Sequence, residues 1–268
     1  MPAGTDPQDI YSNGRWFSRS GQPVQQYLLA QSGLPVVIPS SSAAGIQANG
    51  TVTFDTALPT GLGTTNTRCW CFFPAGAVSG DATGGLYYCV LGSTTTATVY
   101  AGKQGGAGGV TAAFTPTVPT TLTAVTGSGA AYTQTINAFI TLAAIAVPGG
   151  AMGPNGQVSY MHQVRFANTA NGKASQVSFG SSGLGTISGF ASQDAFSGGG
   201  FITNQARQTS QAVVSSQNAL PFFGGAISTA YTAVDTTASQ LLTFALRLNT
   251  AASDNAVLET FSVQILPA

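Results

Sequence analysis

The sequence predicts an all-β chain: an extended N-terminal arm, a small β-sandwich or barrel, and a larger jelly-roll-like β-sandwich. Three observations carry this. Short runs of β-branched and aromatic residues recur along the chain, each bracketed by Gly, Pro, Asn or Ser, the punctuation of strands joined by turns. No long helix is apparent anywhere. Hydrophobic residues make up 43% of the chain and charged residues only 6%, against about 25% charged in an ordinary soluble domain. Disordered chains combine high net charge with few apolar residues, and this one has neither feature.

The elements follow in order. Residues 1–45 read as an arm, rich in Pro, Gly and Ser. Its apolar residues Trp16, Phe17 and Tyr27 are candidate anchors for docking on a partner, the alternative being that the arm packs on its own domain. Leu34 to Pro39 reads as an extended edge piece, because proline cannot donate to a ladder, and Ser40 to Gly45 as a linker. Residues 46–104 read as the small β domain. Its strands are Gly50 to Asp55, with Val52 and Phe54 on one face, the aromatic run Thr67 to Phe73 ended by Pro74, the glycine-bracketed Leu86 to Leu91, and the β-branched Thr95 to Tyr100.

Residues 105–120, rich in Gly, Ala, Thr and Pro, read as a connector. Residues 121–268 hold the larger sandwich, of about eight strands. Among them are Tyr132 to Ile136, Ala138 to Val147, Gly156 to Phe166 with a partial odd/even split, Ala174 to Gly180, Ala238 to Leu248, and Val257 to Ile265. In the last of these Val257, Phe261, Val263 and Ile265 share odd positions, with Glu259, the lone glutamate, between them.

The composition excludes several function classes. Eight basic and eight acidic residues give zero net charge, and the basic ones are scattered singly, so no nucleic-acid surface is expected. No apolar stretch reaches the 18 or more residues of a membrane span, and the first nine residues have no signal-peptide pattern, so synthesis in a cytoplasm without membrane insertion is expected. Cys69, Cys71 and Cys89 are odd in number, and Cys69 and Cys71 lie on one strand face. Buried, inert thiols are expected rather than a disulfide framework or a zinc site.

No catalytic residue, metal ligand or cofactor is expected. The one histidine, His162, sits mid-strand with no nucleophile elbow elsewhere. The acids Asp6, Asp9, Asp55, Asp81, Asp194, Asp235, Asp254 and Glu259 mostly adjoin turn residues and suit local capping better than a glycosidase dyad. The glycine clusters at 105–109 and 198–200 lack the following helix and Lys-Ser/Thr of a phosphate loop. Of the aromatic residues, Tyr231 is the best candidate for an exposed contact to a glycan.

Several stretches resemble bacteriophage fibre and head-decoration proteins with a C-terminal jelly-roll-like β-sandwich. They are Leu86 to Tyr100, the turn Val147 to Gly156, the hairpin Phe166 to Lys173, the run Arg207 to Gln211, and Val234 to Thr237 with Ala252 to Glu259. The resemblance departs at Cys89 and Met161-His162. It implies a sandwich on the exterior of a phage particle, a homotrimer, contacts with other virion proteins of capsid or tail, and no catalytic residues to carry over. On this reading the chain is a fibre or spike component held by its arm and adhering to host-surface glycan, the alternative being a decoration protein that stabilises the shell.

Overall fold

In the computed structural model of the chain the described residues are 10–12, 15–17, 27–59, 62, 65–115, 117–134, 137–188, 192, 194–216, 227–249 and 254–267. Among them the secondary structure is entirely β, in seventeen strands. β1 (Ile10–Ser12) and β2 (Arg15–Phe17) pair with each other alone. β3 (Tyr27–Gln31), β4 (Val36–Ile38), β5 (Thr51–Thr53), β6 (Arg68–Phe73), β7 (Gly85–Leu91) and β8 (Thr96–Gln104) follow. Then come β9 (Ile140–Val147), β10 (Gln157–Phe166), β11 (Lys173–Phe179), β12 (Ser182–Ser188), β13 (Ala195–Asn204), β14 (Gln211–Ser216), β15 (Ile227–Thr232), β16 (Gln240–Leu248) and β17 (Ala256–Leu266).

One sheet of eleven strands runs in the order β15-β14-β13-β10-β17-β4-β6-β7-β8-β5, with β3 pairing β17 beside that path. A second sheet, β12-β11-β16-β9, is packed across it. The main core lies between the sheets and is filled by Val158, Tyr160, Val164, Phe179, Phe244, Leu246, Val263 and Ile265, all almost fully buried. On β6 and β7 alternate residues serve two cores. Trp70, Phe72, Leu86 and Tyr88 face the main one, while Cys69, Cys71, Phe73, Tyr87 and Cys89 face a second, under the loops that carry Ile46, Leu58 and Tyr132. The period of two along a strand makes this division possible, and burial on both faces explains why these strands read as continuous apolar runs. The three thiols are free and buried, Cys69 Sγ lying 3.6 Å from Cys71 Sγ.

β4 is not the edge piece that its flanking prolines suggest. It lies inside the sheet, antiparallel to β17 and parallel to β6, with all three residues buried. Pro35 and Pro39 stand just outside the paired residues, so no ladder donor is lost, and the Pro35 carbonyl accepts the Trp70 N–H at 3.0 Å. Of the strand expected from Tyr132 onward, Tyr132 makes only an isolated bridge to Ser42. The segment after β8 runs along the free edge of β9, where Val110 and Phe114 donate to the carbonyls of Thr141 and Ala144. Gly109 permits that approach: its φ is +85° and a Cβ there would lie 2.0 Å from the Thr141 carbonyl oxygen.

The alternation read along Val257 to Ile265 is broken at Glu259. Gln163 faces Thr260 and Val164 faces Leu258, so Glu259 is the extra residue of a β-bulge. Phe261, Val263 and Ile265 therefore enter the main core together with Leu258, while Val257 points to the second.

Candidate functional site

The outer face of β10 is where the fold concentrates exposed, chemically useful side chains. Along this strand Val158, Tyr160, His162, Val164 and Phe166 are buried, and Gln157, Ser159, Met161, Gln163 and Arg165 look outward. The alternation is complete. It looks partial in the sequence because a histidine takes a core position and a methionine an outer one: His162 is 4% exposed and Met161 53%.

Register extends this outer face across the neighbouring strands. Met161 stands opposite Gly199 of β13 and Ser262 of β17, and Ser262 opposite Gln31 of β3. Gln163 stands opposite Ser197 and Thr260. Ser159 stands opposite Phe201 and Gln264, with Val214 beyond Phe201 and the half-exposed Leu28 beyond Gln264. Two concavities flank Met161. One of about 320 Å³ is lined by Gln31, Gln163, Ser197, Thr260 and Ser262. The other, of about 200 Å³, is lined by Ser159, Phe201, Ser262 and Gln264. Glycine at position 199 leaves the space beside Met161 without a side chain.

This face carries amides, hydroxyls and a few apolar groups. Arg165 and Glu259 stand at one end of it, 3.7 Å apart. Ser32 ties the β3 wall in place: its hydroxyl donates to Thr260 Oγ1, while its own N–H donates to the Phe261 carbonyl.

The histidine lies beneath this face rather than in it. His162 packs against the rings of Phe196 and Phe244, and its Nε2 is 3.1 Å from Ser175 Oγ. Burial pushes its pKa down to about 4. Among the described residues its Nδ1 meets no hydrogen-bond partner, and none of their carboxylates orients the ring as a catalytic base requires.

Most of the acids among the described residues serve local structure. Although burial opposes it, Lys103 and Tyr87 hold the Asp81 carboxyl well below the usual carboxylate range, with Thr83 also donating. Asp235 accepts from Thr237, and Asp55 from Ser41. Asp254 accepts from the Thr169 hydroxyl and lies 3.9 Å from Lys173 Nζ, both charged side chains being fully buried. Lys173 also donates to the Thr169 hydroxyl at 2.8 Å and to the carbonyls of Thr169 and Asn171. The group braces the 167–173 turn. Among the described residues no three His, Cys, Asp or Glu side chains are arranged to hold a metal ion, and no helix is long and apolar enough to cross a membrane.

Tyr231, the candidate glycan contact, is 74% exposed on β15. It pairs with Ala212, which pairs with Thr203, which pairs with Gln157, and this sequence of partners puts Tyr231 on the same outer face as Met161. The side chains of Trp16, Phe17 and Tyr27, on which the anchoring expectation rests, lie outside the described residues. Gln163, Phe201 and Gln31 were not singled out in the sequence, and Met161 only as a departure from the resemblance. The one signal for them is the strict alternation of β10, visible only once His162 is counted as a core residue.

No protein-family model matches the chain, and no curated protein matches it in sequence. Solved structures with some likeness include the CBM2 module of the evolved Dit of Lactobacillus casei BL23 phage J-1. That match is 8% identical and covers 52% of this chain and 77% of that one, with a TM-score of 0.31. The winged bean acidic lectin complexed with methyl-α-D-galactose is 8% identical over 90% of this chain and 98% of its own, at a TM-score of 0.28. Arcelin-5, a lectin-like defense protein from Phaseolus vulgaris, is 7% identical over 45% and 75%, at 0.26. Scores this low assign no function.

Proposed function

We propose that this chain is a non-enzymatic adhesion protein on the exterior of a bacteriophage particle, a fibre or spike component that grips host-surface glycan through the outer face around Met161. The observation that carries the binding role is the charge-free double concavity beside that exposed methionine, walled by Gln31, Gln163, Ser197, Thr260 and Ser262. Amides and hydroxyls supply both donors and acceptors to a polyhydroxylated ligand, and the apolar groups cover the carbon face of a sugar ring. Individually weak contacts become firm when many copies act from one particle. The virion setting and the trimer rest on the sequence resemblance, and so does the arm as the attachment point.

The test has two parts. Fluorescently labelled chain is expected to bind cells of the bacterium that the particle infects, and Met161→Asp, a surface change, to reduce that binding at least tenfold. Undiminished binding by this variant would remove the face from the reading. Gold labelling of intact particles addresses location: label at one vertex supports a fibre or spike, label over the facets replaces it with shell decoration, and unlabelled particles overturn the virion assignment.

A further inference from the structure

Resting on that reading of the outer face, we infer that the site takes an uncharged, extended polysaccharide lying diagonally across the strands, from the Met161 concavity through Phe201 and Val214 to Tyr231. Register places these residues on one face. Met161 is one outward position along from Ser159, the partner of Phe201. Phe201 pairs with Val214, and Val214 is two residues along β14 from Ala212, the partner of Tyr231. The line crosses three strand spacings and climbs four residues, roughly 20 Å in all. That length accommodates several sugar rings in a row. A single ring would need only one of the concavities, and Tyr231 lies too far from Met161 to share it.

The flanks of the line fit the same ligand. Thr203, Gln157 and Gln264 border one side, and Ser197, Gln163 and Thr260 the other. An apolar track between hydroxyl and amide borders matches a chain whose ring faces are apolar and whose edges carry hydroxyls. Charge narrows the class. Among the residues whose side chains are described, no Lys or Arg occupies a register position of the track, and Arg165, at its Met161 end, faces Glu259. A carboxylate- or sulfate-bearing polymer would be desolvated there without a counter-charge, an unfavourable exchange. Neutral hexose chains carry no such penalty.

Calorimetric titration of the whole chain tests this with neutral cello-, malto- and galacto-oligosaccharides of two to eight rings, and with oligogalacturonates of matched length. At least one neutral series is expected to bind, with affinity rising with ring number and levelling off once the track is filled. Uronates should bind at least tenfold more weakly. Tyr231→Ala should lower affinity for the longest neutral oligomers several-fold and leave the shortest unchanged, whereas Gln163→Ala should weaken both. Each side chain is exposed, and an unaltered thermal unfolding curve confirms that each variant folds.

If Tyr231→Ala binds every length as the parent does, the extended track is wrong. Preference for the uronates, or no neutral oligomer bound while labelled chain still adheres to host cells through Met161, overturns the neutral class alone. Loss of cell adhesion as well would remove the adhesion reading with it. A concentration-dependent dimer or trimer abolished by Met161→Asp would show that a second copy covers this face, and overturns the inference.

Discussion

Burial between Phe196 and Phe244 holds the His162 imidazole near pKa 4, and this makes the fold sensitive to acid in a defined window. The unfolded chain protonates its histidine near pH 6.5 and the folded chain does so only near 4, so between these values the unfolded state binds more protons. Stability supplied by the neutral ring is intact above about 6.5 and is lost as the pH falls towards 4, by about 3 kcal/mol in total. Urea unfolding at a series of pH values should show this slope in the parent and lose most of it in His162→Gln. Identical slopes would mean that the ring is not held neutral by the core. Lys173 carries a second prediction. Lys173→Met leaves Asp254 buried beside Thr169 without its counter-charge and should cost about 3–5 kcal/mol, whereas an exposed pair would cost under about 1. At this scale the sequence is least legible. Asp254 beside Asn255 looks like a turn cap, and only tertiary packing reveals that Lys173, far earlier in the chain, is its buried partner. Met161 and His162 exchange the burial that their side chains suggest, because a ring with Ser175 as partner is tolerated inside and a thioether is tolerated outside.

Among the elements, β13 shows what the composition conceals. Its run Gly198-Gly199-Gly200 has the look of a loop, yet it crosses the middle of the large sheet opposite Tyr160, Met161 and His162. Gly198 and Gly200 are there for room. A Cβ at Gly200 would meet the Val214 carbonyl oxygen at 2.4 Å and the Tyr160 hydroxyl at 2.6 Å, so Gly200→Ala must displace both β14 and the Tyr160 ring. It should destabilise the chain by about 1–3 kcal/mol, read from the unfolding midpoint, with a smaller effect for alanine at Gly183, where the nearest atom is 3.8 Å away. Strands rich in β-branched or aromatic residues, such as β6, β7 and β9, are legible because local propensity and burial agree. β13 is not, since close packing overrides propensity. The Glu259 bulge is likewise invisible to a rule of alternation, because one inserted residue inverts every later one.

For the molecule as a whole, the described cores draw on residues from Leu29 onward and use Val36, Val37 and Ile38 of β4 as interior packing. A deletion that ends before β3 leaves all of these core residues in the chain. Deleting residues 1–26 is expected to leave the unfolding temperature within a few degrees of the parent and to remove the chain from assembled particles; normal incorporation would end the anchoring proposal. Deletion through residue 45 would instead remove β4 and unfold the chain, so it could not test the same idea. The all-β class and the two-layer packing are legible in the sequence, whereas the joining of early and late strands into one sheet is not, because pairing across more than 200 residues leaves no local trace. That joining rests on β17, which holds β10 on one flank and both β3 and β4 on the other. All three partners are made before it. A ribosome moving along the message must therefore release β3, β4 and β10 with the backbone N–H and C=O groups of their β17-facing edges unpaired, and the sheet closes only after position 266 has been translated. Late closure of this kind slows folding and prolongs exposure of sticky strands. Such half-made chains favour prompt association of neighbours, and a message cut short by a dozen codons would yield aggregate instead of a smaller working protein.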